Sequence, residues 1–260
     1  MQYSKAILVV SFGTSVNETR EKTIDRIEAD IKNAFPEYAV YRAWTSGRII
    51  RKLRQRDGVH IDTVTEAMER MLADGVTEVI VQPTHVIGGI ENDRMTEDAL
   101  VFQDRFMSIR FGRPLLSGEE DSDRVIRAVM EEYKELPSSD TLVLMGHGTP
   151  HQVNEVYAAL DGRFKAMGYA NVFLGTVEAS PSLDMLLSSV RAYKAGRVTL
   201  APFMVVAGDH ALNDMSGDDG ESWKSRFEAE GFTVRCVLRG LGEYESIRRL
   251  YVKHIQDAVG

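Results

Sequence analysis

Three residues with metal-binding side chains follow predicted strands in the second half of the sequence. His147 lies in a Gly-His-Gly turn directly after the apolar segment 141–145, and Glu178 follows the apolar segment 172–177. His210 lies in a polar turn that comes after another strand-like segment. Two imidazoles and one carboxylate suit a divalent first-row metal ion and leave coordination positions open. If these strands are neighbours in one sheet, the sequence predicts a metal site at their carboxyl ends.

Each of these side chains also has a structural interpretation. His147 would then hydrogen-bond a neighbouring carbonyl, and His210 would belong to a capping cluster for the helix that we predict near residue 221. In the functional interpretation, partial desolvation keeps His210 neutral, the form that binds a metal or takes a proton. Asp209 or Asp214 would orient its ring. Glu178 at the end of a central strand is costly to bury unless it is paired or bound to a cation.

The corresponding region of the first half contains His85 and Glu91. For each of these residues two interpretations are open: a role in function, or a structural role in packing or helix capping. His151 comes four residues after His147, but the intervening glycine and proline exclude a continuous helix that would hold both. We expect His60 and His254 to lie on the surface.

The two halves of the chain follow the same pattern of elements. We predict a strand over 5–10 and an amphipathic helix over 17–35, and a second strand, glycine turn and helical segment begin at 141. Later in each half, the strand-like segments Glu78–Pro83 and Arg197–Pro202 both end at a proline. Two matched landmarks about 130 residues apart indicate duplication of a whole domain rather than a short-period repeat.

Strands that alternate with helical segments predict two similar Rossmann-like α/β domains, each with a parallel sheet flanked by helices. We place them at residues 1–125 and 126–260, with the metal ligands in the second domain and the C-terminal helix packing on the first. Ligands in such folds bind beyond the carboxyl ends of the strands. We therefore expect the active site in a cleft between the two domains, a common place for small-molecule sites.

Composition excludes several classes of function. The chain has 260 residues and a formal net charge of -8, so its overall charge does not attract nucleic acid or an anionic membrane. Its single cysteine, Cys236, excludes an intramolecular disulfide and a cysteine-based metal cluster. No segment reaches the roughly 20 apolar residues of a membrane span, and we expect a cytoplasmic protein.

One local exception to the acidic character is a basic run over residues 48–56. Charge runs are usually a solvated helix face, and the alternative is docking of a polyanionic substrate. The turn at residues 11–15 resembles a phosphate-binding turn but contains neither of the common phosphate-binding motifs.

Taken together, these segments resemble the class II tetrapyrrole chelatases, and among them the CbiK family of anaerobic sirohydrochlorin cobaltochelatases. The resemblance covers essentially the whole chain, and the last of its segments is the most specific. The segments are ILVVSFGTS at 7–15, QPTHVIGGIE at 82–91, MGHGT at 145–149, GTVE at 175–178 and PFMVVAGDHALNDM at 202–215.

The resemblance implies a lyase-type, two-lobed enzyme that inserts Co²⁺ into sirohydrochlorin, or into its reduced precursor precorrin-2, on the route to cobalamin. It implies no ATP and no cofactor beyond the substrate metal. His147, Glu178 and His210 correspond to the metal-binding set. From the chemistry of metal insertion we expect one of the two histidines, His147 in preference to His210, to accept a pyrrole proton. Glu91 with His85 corresponds to the opposite, catalytic wall, and Asn92 stands where the family often has a second acidic residue.

Other functions remain open at this point. The same fold serves ferrochelatases and nickel- or iron-inserting sirohydrochlorin enzymes, and histidine and carboxylate ligands do not distinguish these ions. A non-catalytic carrier of metal or tetrapyrrole and, with least support, a phosphate-ester hydrolase are the alternatives from other classes. The expected partners are a small tetrapyrrole and a divalent metal ion. The sequence singles out no interface, so a homo-oligomer is neither indicated nor excluded.

Overall fold

A computed structural model of the chain describes residues 3–194 and 196–260. The first half contains β1 (Lys5–Ser11), α1 (Asn17–Lys22), α2 (Ile24–Ala34), β2 (Ala39–Trp44), α3 (Gly47–Asp57), α4 (Val64–Ala73), β3 (Glu78–Pro83), α5 (Ile90–Leu100) and β4 (Ser108–Phe111). The second half contains α6 (Glu119–Glu132), β5 (Thr141–Gly146), α7 (Glu155–Ala166), β6 (Val172–Thr176), α8 (Leu183–Tyr193), β7 (Arg197–Pro202), α9 (Trp223–Ala229), β8 (Thr233–Cys236) and α10 (Glu245–Val259). No helix within the described ranges combines the length and apolar character needed to span a membrane.

The eight strands form two parallel sheets with the same topology. The first sheet has the order β2-β1-β3-β4 and the second the order β6-β5-β7-β8. Val10 pairs with Pro83 in the first sheet, and Met145 pairs with Pro202 in the second. Proline ends each strand because it has no N–H to continue the ladder. The predicted duplication and the parallel α/β architecture are therefore confirmed.

Two compact units make up the chain. The first comprises the residues up to Ser117 together with Glu245–Gly260, and the second is Gly118–Tyr244. This division differs from the expected one at 125/126 because α6 runs without interruption through that point. In the first unit, α10 packs against α2, β3 and β4.

The core of each unit forms around its central strand. In the first unit, residues of β1 are buried on both faces, which requires cover from both sides of the sheet. Ala6, Leu8 and Val10 pack in one cluster with residues of α4 and α5. In the second unit, Val143 and Met145 of β5 pack with the apolar face of α8 and with α9. Burial of such side chains contributes roughly 1.5–3 kcal/mol each, so these clusters fix the position of the strand ends.

The single helix predicted over 17–35 is wrong, because the chain leaves the helical conformation at Thr23. This residue has φ -125° and ψ -82°, and α1 and α2 lie on either side of it. The Thr23 hydroxyl donates to the Thr19 carbonyl over 2.5 Å. Threonine hydroxyls compete in this way with the helical backbone bonds.

The surface position expected for His254 is also wrong. The residue is only 1% exposed, since it lies on the face of α10 that packs in the first unit. Its Nδ1 is 3.0 Å from the Arg113 carbonyl oxygen, so Nδ1–H donates to that carbonyl. The burial of His254 could not be predicted from the sequence, because a lone histidine in an amphipathic helix is compatible with either the apolar or the polar face.

Candidate metal centre

Backbone hydrogen bonds place His147 and Glu178 side by side. The Val177 N–H donates to the Gly146 carbonyl over 3.0 Å, and the Glu178 N–H donates to the His147 carbonyl over 2.9 Å. These bonds continue the pairing of β5 with β6 past its last residue pair, Gly146 with Thr176. As a result, His147 Nδ1 and Glu178 Oε2 lie 3.7 Å apart.

The turn after β5 lies against the segment after β6 because residue 148 is glycine. Gly148 has φ +85°, and a Cβ atom there would stand 2.9 Å from the Ala179 nitrogen. Asn154 also links the two segments: the Thr149 N–H donates to its Oδ1 over 3.0 Å, and its Nδ2 donates to the Ser180 carbonyl over 2.6 Å. Asn154 was not predicted from the sequence, since nothing in its spacing marks it as a bridge between the two segments.

Replacing Gly148 by alanine is expected to destabilise the protein by about 1–3 kcal/mol and to weaken Co²⁺ binding. The new methyl group would force the turn that carries His147 away from the backbone next to Glu178. The matched control is Gly168→Ala, because Gly168 has φ +94° and a methyl group added there would meet no atom of the described residues within 4 Å. Chemical denaturation and Co²⁺ titration of both variants measure the effects. Equal losses of stability in the two variants, with unchanged Co²⁺ affinity, would contradict the crowding argument.

His210 is held at the start of a π-helical turn, Ala211–Met215. Ala211 and Met215 are buried in the core of the second unit and anchor this turn. His210 Nδ1 lies 2.7 Å from Asp214 Oδ2, whereas Asp209 accepts from Asn213. Of the two carboxylates that the sequence offered, Asp214 therefore orients the imidazole. Single π-helical turns within proteins often occur at functional sites.

The three predicted ligand side chains converge in the second unit. One potential ligand atom from each of His147, Glu178 and His210 lies within 4.8 Å of the others. The two imidazole rings are edge to face, with centroids 4.7 Å apart. Their side chains are 41% and 31% exposed, and that of Glu178 is 51% exposed. A metal ion and a second ligand can therefore reach this group from solvent.

Hydrogen bonds fix which ring nitrogen of each histidine can bind a metal. His147 Nδ1 lies 2.9 Å from the Gly148 carbonyl oxygen, an atom that can only accept, so Nδ1 carries the hydrogen. His210 Nδ1–H donates to the Asp214 carboxylate in the same way. In a neutral imidazole, Nε2 then has the free lone pair. A carboxylate or carbonyl on the far nitrogen is the usual support for a metal-binding histidine.

A second group of potential ligands, His60, Asp62 and Glu66, also lies within 4.8 Å but is already engaged. Asp62 accepts from Arg70 over 2.8 Å, and Glu66 accepts from the Thr63 N–H over 2.7 Å as part of a helix cap. The Arg70 guanidinium would repel a bound cation. The hydrogen-bonding pattern therefore favours the His147 group as the metal centre.

His85 and Glu91 lie in the first unit, where β3 gives way to α5. The backbone around His85 is fixed by the Leu115 N–H, which donates to its carbonyl over 2.9 Å. The buried Tyr251 hydroxyl of α10 donates to the neighbouring Thr84 carbonyl over 2.7 Å. Glu91 lies in the first turn of α5, where one carboxylate oxygen is 3.5 Å from Arg94.

Buried polar atoms in this region lack partners among the residues that the structure describes. They are both ring nitrogens of His85, one carboxylate oxygen of Glu91 and the Asn92 side-chain oxygen. Burial lowers the pKa of His85 to about 4. The nearby Asn92 side chain opposes this shift in part, although it does not reach hydrogen-bond geometry with either ring nitrogen. His85 is therefore neutral at neutral pH, and buried polar atoms of this kind favour a polar ligand.

Comparisons of the sequence with known proteins point to one family. Residues 5–260 match the family model described as cobalt chelatase (CbiK). The chain is 41% identical over 255 residues to a sirohydrochlorin cobaltochelatase of Salmonella typhimurium, covering 98% of this chain and 96% of the relative. It is 34% identical over 261 residues to the sirohydrochlorin cobaltochelatase CbiKC of Nitratidesulfovibrio vulgaris, covering 98% and 90%.

A solved structure described as SirB from Bacillus subtilis with Fe³⁺ has the same fold. Its TM-score is 0.67 at 14% identity, with 98% of this chain and 95% of that chain covered. At this identity the likeness concerns the fold alone. The family model spans nearly the whole sequence, and both sequence relatives are matched along almost their full length. The chain therefore belongs to the CbiK family of cobalt chelatases.

Proposed function

We propose that this enzyme inserts Co²⁺ into sirohydrochlorin, or into its reduced precursor precorrin-2, without ATP. The observation that carries the proposal is the convergence of His147, Glu178 and His210, which come from segments after three different strands. The names of the two sequence relatives support the choice of metal and tetrapyrrole. The metal ion is a substrate in this reaction, so its site must both bind and release it.

The ligand set suits a metal that has to be transferred. Two neutral imidazoles and one carboxylate bind a divalent first-row ion while leaving coordination positions open. The exposed sides of these three side chains allow hydrated Co²⁺ to enter and to exchange water for protein ligands. Pyrrole nitrogens then replace the protein ligands one at a time. None of the three ligands is a thiolate, and together they do not fill the coordination sphere of the ion. Co²⁺ can therefore pass to the macrocycle without dismantling a fully coordinated protein site.

Metal insertion also requires the loss of two pyrrole N–H protons. We assign acceptance of one of them to His147, whose Nε2 lone pair becomes available once Co²⁺ has left that nitrogen for the macrocycle, and the second proton passes to solvent water. His85 is a poorer proton acceptor, because its pKa of about 4 means that it holds a proton weakly at neutral pH. His85 and Glu91 instead contact the macrocycle as polar groups of the first unit. Their unpartnered atoms can accept or donate hydrogen bonds to the substrate, and the energy of these contacts can help to distort its ring.

Anaerobic incubation with sirohydrochlorin and Co²⁺, followed by absorption, tests the proposal. We expect many molecules of cobalt-sirohydrochlorin for each molecule of enzyme, without added ATP. A product yield that stops at one equivalent would indicate a carrier. Parallel assays with Fe²⁺ and Ni²⁺, and with protoporphyrin in place of sirohydrochlorin, separate the other chelatase activities. Faster insertion of one of those ions, or activity on protoporphyrin alone, would contradict the proposal.

A further inference from the structure

Helix α3 carries a cationic face in a chain whose formal net charge is -8. Arg48, Arg51 and Lys52 are exposed and recur at the spacing of one helix face. Ile50 and Leu53 are buried on the other side of the helix. Within residues 3–194 and 196–260, none of these three cations forms an ion pair. We call Arg48, Arg51 and Lys52 the α3 cationic face.

Helix stability does not explain this placement of charge. The N-terminal end of a helix has a partial positive charge, so cations there are unfavourable and acids are favourable. The first turn of α3 contains no acidic residue and does contain Arg48. By contrast, α2, α4 and α6 all begin with acidic residues in the first turn. The Arg51 guanidinium also points back to this end, since it lies 3.5 Å from where a Cβ on Gly47 would stand.

An exposed aromatic ring adjoins the start of the same helix. Phe12 is 44% exposed, and its carbonyl accepts from the N–H of Ser46, the residue that caps α3, over 3.2 Å. Next to this cap, the Trp44 indole nitrogen and the Thr45 hydroxyl are buried without partners among the described residues. An apolar ring and unpaired cations thus occur together at the carboxyl end of the first sheet.

Phe12 in the first unit occupies the position that His147 occupies in the second. β1 and β5 hold equivalent positions in their sheets, and the turns after them are Phe12-Gly13-Thr14 and His147-Gly148-Thr149. Both glycines have positive φ, +99° for Gly13 and +85° for Gly148. The first unit therefore has an exposed phenyl ring where the second has a metal-binding imidazole. The turn after β1 can therefore contact a different part of the substrate from the part that the turn after β5 contacts.

We propose that Phe12 and the α3 cationic face bind the tetrapyrrole, with the cations on its peripheral carboxylates and the phenyl ring on its apolar surface. The inference rests on the proposed function, because sirohydrochlorin carries acetate and propionate groups around its rim. Guanidinium groups bind carboxylates through paired, charge-assisted hydrogen bonds. An aromatic ring supplies apolar contact area next to them. In this proposal Phe12 and the α3 cationic face bind the tetrapyrrole, whereas His147, Glu178 and His210 remain the ligands of the metal ion.

The test compares the double variant Arg48→Glu/Arg51→Glu with Arg26→Glu/Lys32→Glu. The control pair lies on α2, is exposed and makes the same change in net charge. We expect the α3 variant to raise the KM for sirohydrochlorin by about tenfold or more with little change in kcat, and the α2 variant to leave both near wild type.

The wild-type KM should rise with ionic strength, and that of the α3 variant should rise less. Phe12→Ala should also raise KM.

Fluorescence titration of metal-free sirohydrochlorin measures binding separately from turnover. Wild-type protein that binds the tetrapyrrole but inserts no cobalt would contradict the proposed function, while the same titration with the variants would still test the binding surface. The methyl ester of sirohydrochlorin should bind the wild type and the α3 variant equally. Unchanged affinity for the free acid in the α3 variant, an equal loss in the α2 variant, or absence of binding by the wild type would overturn the inference.

Discussion

Replacing His147 or His210 by alanine is expected to lower cobalt insertion by about 10²-fold or more. Loss of a group that only supports a metal ligand already costs about 10- to 100-fold, and loss of a general base costs about 10²- to 10⁴-fold. Either change removes one of two imidazole nitrogens from a three-residue site, so the remaining side chains hold Co²⁺ weakly. His147→Ala additionally removes the proposed proton acceptor. Because both side chains are partly exposed, neither substitution leaves a large cavity in the core.

The control for both variants is His60→Ala. His60 is an exposed histidine in the second ligand group, whose oxygens are already engaged, and its loss should leave turnover near wild type. Single-turnover absorption assays measure the rate, calorimetric titration measures Co²⁺ affinity, and circular dichroism monitors the fold. Near-normal turnover by both His147→Ala and His210→Ala in folded protein would refute the site assignment.

Asp214→Asn is expected to weaken Co²⁺ binding by about 10- to 100-fold, the usual effect of removing the group that orients a metal-binding histidine. The Asp214 carboxylate fixes His210 with hydrogen on Nδ1 and a free lone pair on Nε2. A neutral amide of the same size accepts this hydrogen bond less strongly, and it can also turn its NH₂ group toward the ring. His210 then loses both its fixed orientation and some of its basicity.

Asp209→Asn provides the comparison for that experiment, since Asp209 is a neighbouring exposed carboxylate that bonds Asn213 rather than His210. Both substitutions remove one negative charge near the site, so a purely electrostatic effect would weaken Co²⁺ binding to a similar extent in each. An orienting role predicts a clearly larger loss for Asp214→Asn. Equal affinities in the two variants would show that Asp214 does not position the imidazole.

The duplicated architecture is suited to the two binding roles that we propose for the two units. The central strands β1 and β5 both end in a turn with a glycine at positive φ, and that glycine permits close contact with the neighbouring segment. Conformation is thus shared by the two turns, whereas the side chain that precedes the glycine differs. The second unit has His147 at this position, which we propose as a metal ligand, and the first has Phe12, which we propose as an apolar contact for the tetrapyrrole.

Much of the fold could be predicted from the sequence because its signals are local. The apolar segments 5–10 and 141–145, and the strands that end at Pro83 and Pro202, are identified by runs of apolar side chains and by their terminating residues. Repetition of these signals indicated the duplication. The break at Thr23 escaped prediction, because it depends on a hydroxyl that bonds the backbone within an otherwise regular apolar pattern.

The sequence by itself determined the types of side chain at the ends of the strands, and hence the kind of metal chemistry that is available. Only the tertiary structure decided that atoms of His147, Glu178 and His210 approach within 4.8 Å, that Asp214 rather than Asp209 orients His210, and that His254 is buried. The physical reason is that strand order, register and the packing of helices on the sheets set distances between residues far apart in the chain. Local composition and periodicity carry no measure of those distances.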